Sequence, residues 1–248
     1  MPMLRVRLQL PKQAPLQVYD HQDLLHDAII NAWTAAGANS EDLIGSQAKA
    51  WTFAPLGWHR GKQGLAHGLV IATADRGLAS SLSRLDPAEV TKRRWDAQSV
   101  NFSQARLQLE PDPILPQQQQ LACLLLSPLL LQDHTSAPKQ KHWHSDLRVL
   151  GDNLSERINR KLSFMAGRDV NLSIQADDLY LRANPEHSVL VNLKVFQNGQ
   201  KSFVVGMKAP LVLQGSDEDL RLAWYAGIGE KTRSGFGCLG LVAEGVGR

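Results

Sequence analysis

The sequence predicts an α+β protein of two tandem ferredoxin-like (RRM-like, βαββαβ) domains, each with a four-stranded antiparallel sheet. Three observations carry this. Period-two and period-3.6 segments follow one another in the order βαββαβ twice. A proline-rich stretch separates the two runs. The 248 residues then divide into halves of common domain size. The expected domains are 1–110 and 121–248, with 111–120 as linker.

In the first half, Leu4, Val6, Leu8 and Leu10 alternate with Arg5, Arg7 and Gln9, the pattern of a half-buried strand. Tyr19 to Ala36 reads as a helix, with Leu24, Ala28 and Ala32 on one stripe and Leu25, Ile29 and Trp33 on the next. Ala50–Leu56 and Gly68–Ala74 read as strands flanking a turn with Gly57, Gly61 and Gly64. A short helix over 75–85 and a strand over Val100–Leu109 complete the unit. Glu110-Pro-Asp-Pro-Ile-Leu-Pro116, followed by four glutamines, is the linker.

In the second half, Leu121–Leu131 is a nearly continuous apolar run, the mark of a strand buried on both faces. Residues 145–166 form an amphipathic helix with Leu147, Leu150, Leu154, Ile158, Leu162 and Met165 inward. Leu190–Phe196 and Ser202–Met207 flank Asn198-Gly199, a hairpin signal, and serve as the middle strands. Ser216-Asp-Glu-Asp219 opens a second helix that ends at Gly227, and Phe236–Val242 is the last strand. The repeat is one of pattern, without residue identity between halves.

Composition narrows the function. A net charge of +3, with 12 basic and 11 acidic residues before position 121, gives no polybasic arm. Hydrophobic content of 43% suits a packed core and excludes disordered or fibrous classes. No apolar run approaches the roughly 20 residues of a membrane span, and the N-terminus does not read as a signal peptide. A cytoplasmic protein without membrane association is expected. Cys123 and Cys238 make neither a disulfide framework nor a zinc site. His134, His142 and His144 sit in a polar loop without a carboxylate-rich partner, so no metal and no cofactor is expected. Lys92-Arg-Arg-Trp95 reads as a solvated basic face.

The most unusual stretch is Gly227-Ile-Gly-Glu-Lys-Thr-Arg-Ser-Gly-Phe-Gly-Cys-Leu-Gly240, in which five of fourteen residues are glycine. It follows a helix rather than a strand, which is wrong for a dinucleotide fingerprint, and it lacks the P-loop spacing. Closely spaced glycines let a chain approach a phosphate backbone, with embedded donors pointing at it.

This segment resembles the C-terminal glycine-rich loop of the CRISPR-associated RAMP superfamily, and is most similar to the endoribonucleases that process CRISPR precursor RNA. Leu126-Ser-Pro128 resembles the superfamily's Ser-Pro strand, and Tyr19-Asp-His-Gln22 resembles the start of its first helix. The resemblance implies metal-independent cleavage of CRISPR repeat RNA. The ribose 2′-hydroxyl attacks its own phosphate and leaves a 2′,3′-cyclic phosphate and a 5′-hydroxyl, so that mature guide RNA is released. Histidine suits the proton transfers because its pKa lies near neutrality, and lysine or arginine suits the charge on the phosphorane.

Many members carry a histidine before the strand corresponding to Trp51-Thr-Phe53, where this chain has Leu43-Ile-Gly-Ser-Gln-Ala-Lys49. Lys49 falls where some members place a catalytic lysine, and Ser46 or Gln47 is suited to orient a phosphate. His26, at the edge of the first helix's apolar face, and His59, within Trp58-His-Arg-Gly-Lys62, are the candidate histidines. His21 reads as a helix-start residue and His67 as structural. The catalytic candidates are therefore His26, Ser46, Lys49 and His59.

The RNA-binding candidates are Gly227, Gly229, Lys231, Arg233, Ser234, Gly235 and Gly237 of the loop, with Arg157, Arg160 and Lys161 on the second-half helix. A Gly235→Val change is expected to weaken RNA binding more than folding. The implied partner is CRISPR repeat RNA, with a CRISPR effector complex and a homodimer left open. Two rivals stand beside this reading: a non-catalytic RNA-binding subunit of an effector complex, and a ferredoxin-like small-molecule enzyme or regulatory module.

Overall fold

The computed structural model describes residues 3–60, 63–133 and 142–242, with 58–60 described by backbone alone. The first βαββαβ unit consists of β1 (Leu4–Gln9), α1 (Gln22–Ala35), β2 (Trp51–Arg60), β3 (Gln63–Thr73), α2 (Arg76–Leu82) and β4 (Arg106–Leu109). The strands pair antiparallel in the order β4-β1-β3-β2. Val6 lies opposite both Ile71 and Leu109, and Phe53 opposite Ile71.

Val6 and Leu8 face the helices and share one core with Leu25, Ile29, Trp33, Leu78 and Leu82. α1 begins at Gln22 rather than Tyr19, because Gln17–Tyr19 is a short fifth strand paired to the outer half of β3. Asp75 caps α2 by accepting from the Leu78 N–H at 3.0 Å.

The second unit consists of β5 (Gln120–Leu125), α3 (Asn153–Ala166), β6 (Ser173–Ala176), β7 (Ser188–Val195), β8 (Lys201–Met207), β9 (Leu211–Gln214), α4 (Asp217–Ala226) and β10 (Leu239–Leu241). Its four-stranded sheet has the order β10-β5-β9-β6. Counted within each unit, both sheets therefore run fourth-first-third-second, the same topology twice.

Three sequence expectations are corrected here. The Asn198-Gly199 hairpin forms, with Gly199 at φ +80°, but β7 and β8 make a separate two-stranded sheet, tied to the segment after β5 by a single bridge between Met207 and Leu129. The middle strands of the second sheet are instead the four-residue segments β6 and β9. The apolar run from Leu121 leaves the sheet at Leu125, before Pro128, which has no N–H to donate. The second-half helix begins at Asn153, behind a single 3₁₀ turn over Leu147–Val149 that Asp146 caps.

The seam between the units explains the continuous apolar run of β3. Leu69 and Ile71 lie in the first unit's core, whereas Val70 packs with Ala54 and Cys238, and Ala72 joins the second unit's core. Arg5 on β1 is on this seam face and is fully buried, where alternation alone suggests solvent. Its guanidinium pairs with Glu110 at 2.6 Å, donates to the Leu239 carbonyl at 2.7 Å and lies 4.2 Å from the Trp224 ring centre. Both partners and ring are needed to offset the loss of hydration.

Arg221 of α4 fastens the connecting segment by donating to Asp112 at 2.6 Å and to the Ile114 carbonyl at 2.7 Å. The basic run at 92–94 is also not simply solvated, since Arg94 binds Asp20, Asp23 and Asp96.

Candidate active site and nucleic-acid interface

β2 starts with Trp51 and Phe53, which point to one face by the two-residue period of a strand and stack at 5.9 Å with an interplanar angle of 22°. On them rests His26 of α1, parallel to Trp51 at 6.0 Å and tilted to Phe53 at 6.4 Å. The imidazole Nδ1 lies 3.2 Å from Asp27 Oδ1, and the side chain keeps 24% exposure. The hydrogen bond to His26 is the main influence on Asp27; burial opposes it, and the nearby Lys92 and Lys194 charges add to it, so the carboxyl is held below its usual range. His26 is thus oriented from two sides and still reaches solvent.

The loop that carries Ser46 and Lys49 is held to the same aromatics. The short helix Ser40–Ile44 is capped by Asn39, which accepts from the Glu41 N–H at 3.0 Å. Trp51 Nε1 donates to the Leu43 carbonyl at 2.9 Å, and the Lys49 N–H donates to the Asp42 carbonyl at 2.8 Å. The backbone is fixed while the Ser46 and Lys49 side chains are exposed.

The glycine segment crosses to this place from the second unit. The four glycines singled out by the sequence, Gly227, Gly229, Gly235 and Gly237, are buried. Their service is close packing. A Cβ at Gly237 would stand 1.8 Å from the Ile228 carbonyl oxygen, and one at Gly235 2.2 Å from Gln22 Nε2 and 2.7 Å from Phe53 Cζ. Gly235 also has φ +82°, which disfavours any side chain there. Thr52 Oγ1 donates to the Phe236 carbonyl at 3.3 Å and Gln22 Nε2 to the Gly235 carbonyl at 3.4 Å, which seats the loop on β2 and α1.

Lys231 is exposed and Arg233 and Ser234 are half-exposed on a 3₁₀ turn. Arg233 Nη1 donates to the Gly45 carbonyl at 3.4 Å, and burial lowers the guanidinium's pKa from its usual range. His26 therefore rests on the aromatic pair, and the Leu43–Lys49 segment is linked on one side to Trp51 and on the other to Arg233.

At its other end the glycine segment meets α3. Glu230 pairs with Lys161 at 3.4 Å, and Arg157 Nη1 donates to the Gln132 carbonyl at 2.8 Å. Arg157, Arg160, Lys161 and the exposed Phe164 line a surface cavity of about 320 Å³. One loop thus joins the histidine site to the basic face of α3.

His59 is not brought to this place. Its backbone lies near the tip of the β2–β3 hairpin opposite Gly64, six residues beyond Phe53, or about 20 Å of extended strand. Its side chain, Gly61, Lys62 and His134 lie outside what the structure describes. Sequence reasoning missed Trp51, Phe53 and Gln22 as the platform and Asp27 as the partner of His26. Asp27 had a signal, being adjacent in the chain; the platform had none, because Trp51 and Phe53 read as ordinary strand-core residues until His26 and the Gly235 backbone pack against them. Among the described residues no group of three His, Cys, Asp or Glu side chains is placed to hold a metal ion. Nor is any helix among them long and apolar enough to cross a membrane.

Solved structures share this architecture over nearly the whole chain. A Cas6-related protein from Pyrococcus furiosus superposes with a TM-score of 0.70 at 16% identity, covering 98% of this chain and 100% of its own. A RAMP protein described as binding different RNA substrates gives 0.65 at 15% identity, covering 96% and 98%. Thermus thermophilus Cas6 gives 0.52 at 16% identity, covering 96% and 97%. No curated protein matches the chain in sequence.

Two ferredoxin-like units sharing a seam, with a glycine-rich segment laid across it, give the chain the fold of these CRISPR-associated structures. Residues 110–241 match the C-terminal region of CRISPR-associated protein Cas6, and the chain belongs to the Cas6 family.

Proposed function

We propose that this protein is a metal-independent endoribonuclease that cuts CRISPR repeat RNA in precursor transcripts to release mature guide RNA. The observation that carries the reading is His26 stacked on the Trp51–Phe53 pair, with Trp51 holding the Leu43 carbonyl ahead of the Ser46–Lys49 loop and Arg233 reaching the Gly45 carbonyl at the start of that loop. Asp27 at Nδ1 directs the other ring nitrogen, Nε2, toward substrate.

In the proposed step His26 serves proton transfer. The 2′-hydroxyl loses its proton and O2′ forms a bond to phosphorus. The phosphorus–O5′ bond breaks, and the leaving oxygen gains a proton. The products are a 2′,3′-cyclic phosphate and a 5′-hydroxyl. Lys49 places positive charge beside the phosphorane, and Ser46 donates to a phosphate oxygen.

Lys231, Arg233 and Ser234 hold the RNA backbone close to the cut, and Arg157, Arg160 and Lys161 hold it along α3. In this reading the glycines bind no RNA themselves but bring those donors to the site. Residues 1–110 and 121–248 act as the two domains, and the enzyme works in the cytoplasm.

A second reading, an RNA-binding subunit of a CRISPR effector complex that does not cut, is favoured by one observation: the Leu43–Lys49 segment carries no histidine. Incubating the protein with end-labelled repeat RNA in excess chelator separates the two. One product ending in a cyclic phosphate supports the enzyme. Binding without a product supports the subunit, and absence of binding contradicts both.

A further inference from the structure

The seam holds a lysine that the proposed chemistry does not use. Lys208 follows β8, and its N–H is fixed by the His187 carbonyl at 2.9 Å. Its side chain lines a small pocket between the units, with Tyr19, Gln22 and Gly57 from the first and Ser127 and Gly235 from the second. The pocket has about 40 Å³ of free volume. That admits the oxygens of a single phosphate group and excludes a nucleoside.

The polar groups around it offer protons. Ser127 Oγ already accepts from the Cys238 N–H at 2.9 Å, so its own hydrogen is free to turn outward. Gln22 presents its amide nitrogen to this side, through the bond to Gly235. Burial drives the Tyr19 phenol upward in pKa, which keeps it a neutral donor. No lining residue is acidic, and no described residue forms an ion pair with Lys208. Burial alone lowers the lysine's pKa, with no carboxylate to raise it. A half-buried ammonium without a counter-ion, lining a pocket with neutral donors and no acidic group, is a seat for a ligand of opposite charge.

We infer that this pocket is a phosphate subsite, in which Lys208, Ser127 and Gln22 grip one phosphodiester of an RNA strand as it crosses the seam. The inference rests on the RNA-binding reading above and extends it to the face of the seam between Tyr19 and Lys208. Gly235 borders both the pocket and the Trp51–Phe53 platform, so a strand held here leads toward His26.

The test compares wild type with Lys208→Met, Lys208→Gln and Lys208→Arg for repeat-RNA binding across a salt series, with thermal unfolding of each. Lys208→Met is expected to bind about tenfold more weakly, with a salt slope lower by about 0.7, one single-strand phosphate contact. It is also expected to melt at or above the wild-type temperature, since it removes an uncompensated charge. Lys208→Gln should weaken binding likewise, and serves if the methionine variant does not fold. Lys208→Arg should bind within about threefold of wild type, because it keeps the cation.

Wild-type binding with an unchanged slope in Lys208→Met or Lys208→Gln would overturn the subsite while leaving the RNA reading intact. Failure of the wild type to bind repeat RNA would overturn that reading and the subsite with it. In a parallel arm, inorganic phosphate at millimolar concentration is added. If it raises the melting temperature of wild type only, while the variants bind RNA normally, the pocket takes free phosphate and the RNA assignment is overturned.

Discussion

The backbone of Gly235 lies against the ring of Phe53, so close that a Cβ on the glycine would stand 2.7 Å from Phe53 Cζ. Residues 182 positions apart in the chain thus form one wall of the site. The glycine is needed for that approach, and the approach brings Arg233 to Gly45.

Gly235→Val should therefore destabilise the protein as well as weaken RNA binding. Overpacking of this kind costs about 1–3 kcal/mol, and a left-handed backbone adds about 1–2 kcal/mol for a side chain. The sequence-level expectation is that RNA binding weakens more than folding; the close approach to Phe53 and Gln22 adds a folding cost of this size to it. Urea unfolding measures it: a midpoint equal to wild type would show that the loop does not pack as described.

Asp27→Asn should lower the cleavage rate without a comparable loss of stability. The amide keeps the size of the carboxylate but removes its charge from Nδ1, so His26 loses its orientation and electrostatic support. A fall of at least about tenfold in the single-turnover rate is expected, with RNA affinity within about twofold of wild type, a small part of the roughly 10²–10⁴ that general acid–base catalysis supplies. A rate equal to wild type would remove Asp27 from the site.

Glu110→Gln should destabilise the seam. Arg5 is fully buried and Glu110 is its carboxylate partner, also shared with Arg7. Breaking a buried pair from one side costs about 3–5 kcal/mol, because the remaining charge has no counter-ion. Differential scanning calorimetry should show a lower melting temperature, and an unchanged one would contradict the burial of Arg5.

Acid should weaken the anchoring of α1. Burial raises Asp20, but the His21 imidazole, with Nδ1 2.9 Å from Oδ2, and the hydrogen bond and charge of Arg94 outweigh it and hold the carboxyl low. Asp96 is lowered chiefly by its hydrogen bond from Arg94. A carboxyl depressed in the folded state stabilises fully above its unfolded pKa, about 3.9, and loses that contribution as pH falls through the folded value. Asp23, raised by burial, opposes this in part. Unfolding at pH 2–5 should therefore show stability falling toward acid, and Arg94→Met should flatten the dependence. An equally steep dependence in the variant would contradict the cluster.

Much of the fold was legible because local patterns carried it. The alternation around Val6 and Leu8, the stripe of α1 and the Ser216 cap all reflect interactions within a few residues. The second sheet was misassigned because β6 and β9 have four residues each, too few for a clear period, whereas Asn198-Gly199 is conspicuous. Alternation also put Arg5 on a polar face, since nothing near it in the chain reveals that Leu239 and Trp224 cover it. The site was half legible for the same reason. His26 and Lys49 stand out by residue type and, for Lys49, by resemblance, but the stack of His26 on Trp51 and Phe53 exists only once α1 packs on β2, and the seat of Arg233 only once both units are folded.

The most direct measurement is the single-turnover rate of repeat-RNA cleavage, in excess chelator, for wild type, His26→Ala and Lys49→Ala. Wild type should give one product with a 2′,3′-cyclic phosphate. Each variant should bind RNA but cleave at least about a hundredfold more slowly, the lower range for loss of a proton-transfer or charge-stabilising group. Full wild-type rate in both variants would show that the cut is made elsewhere.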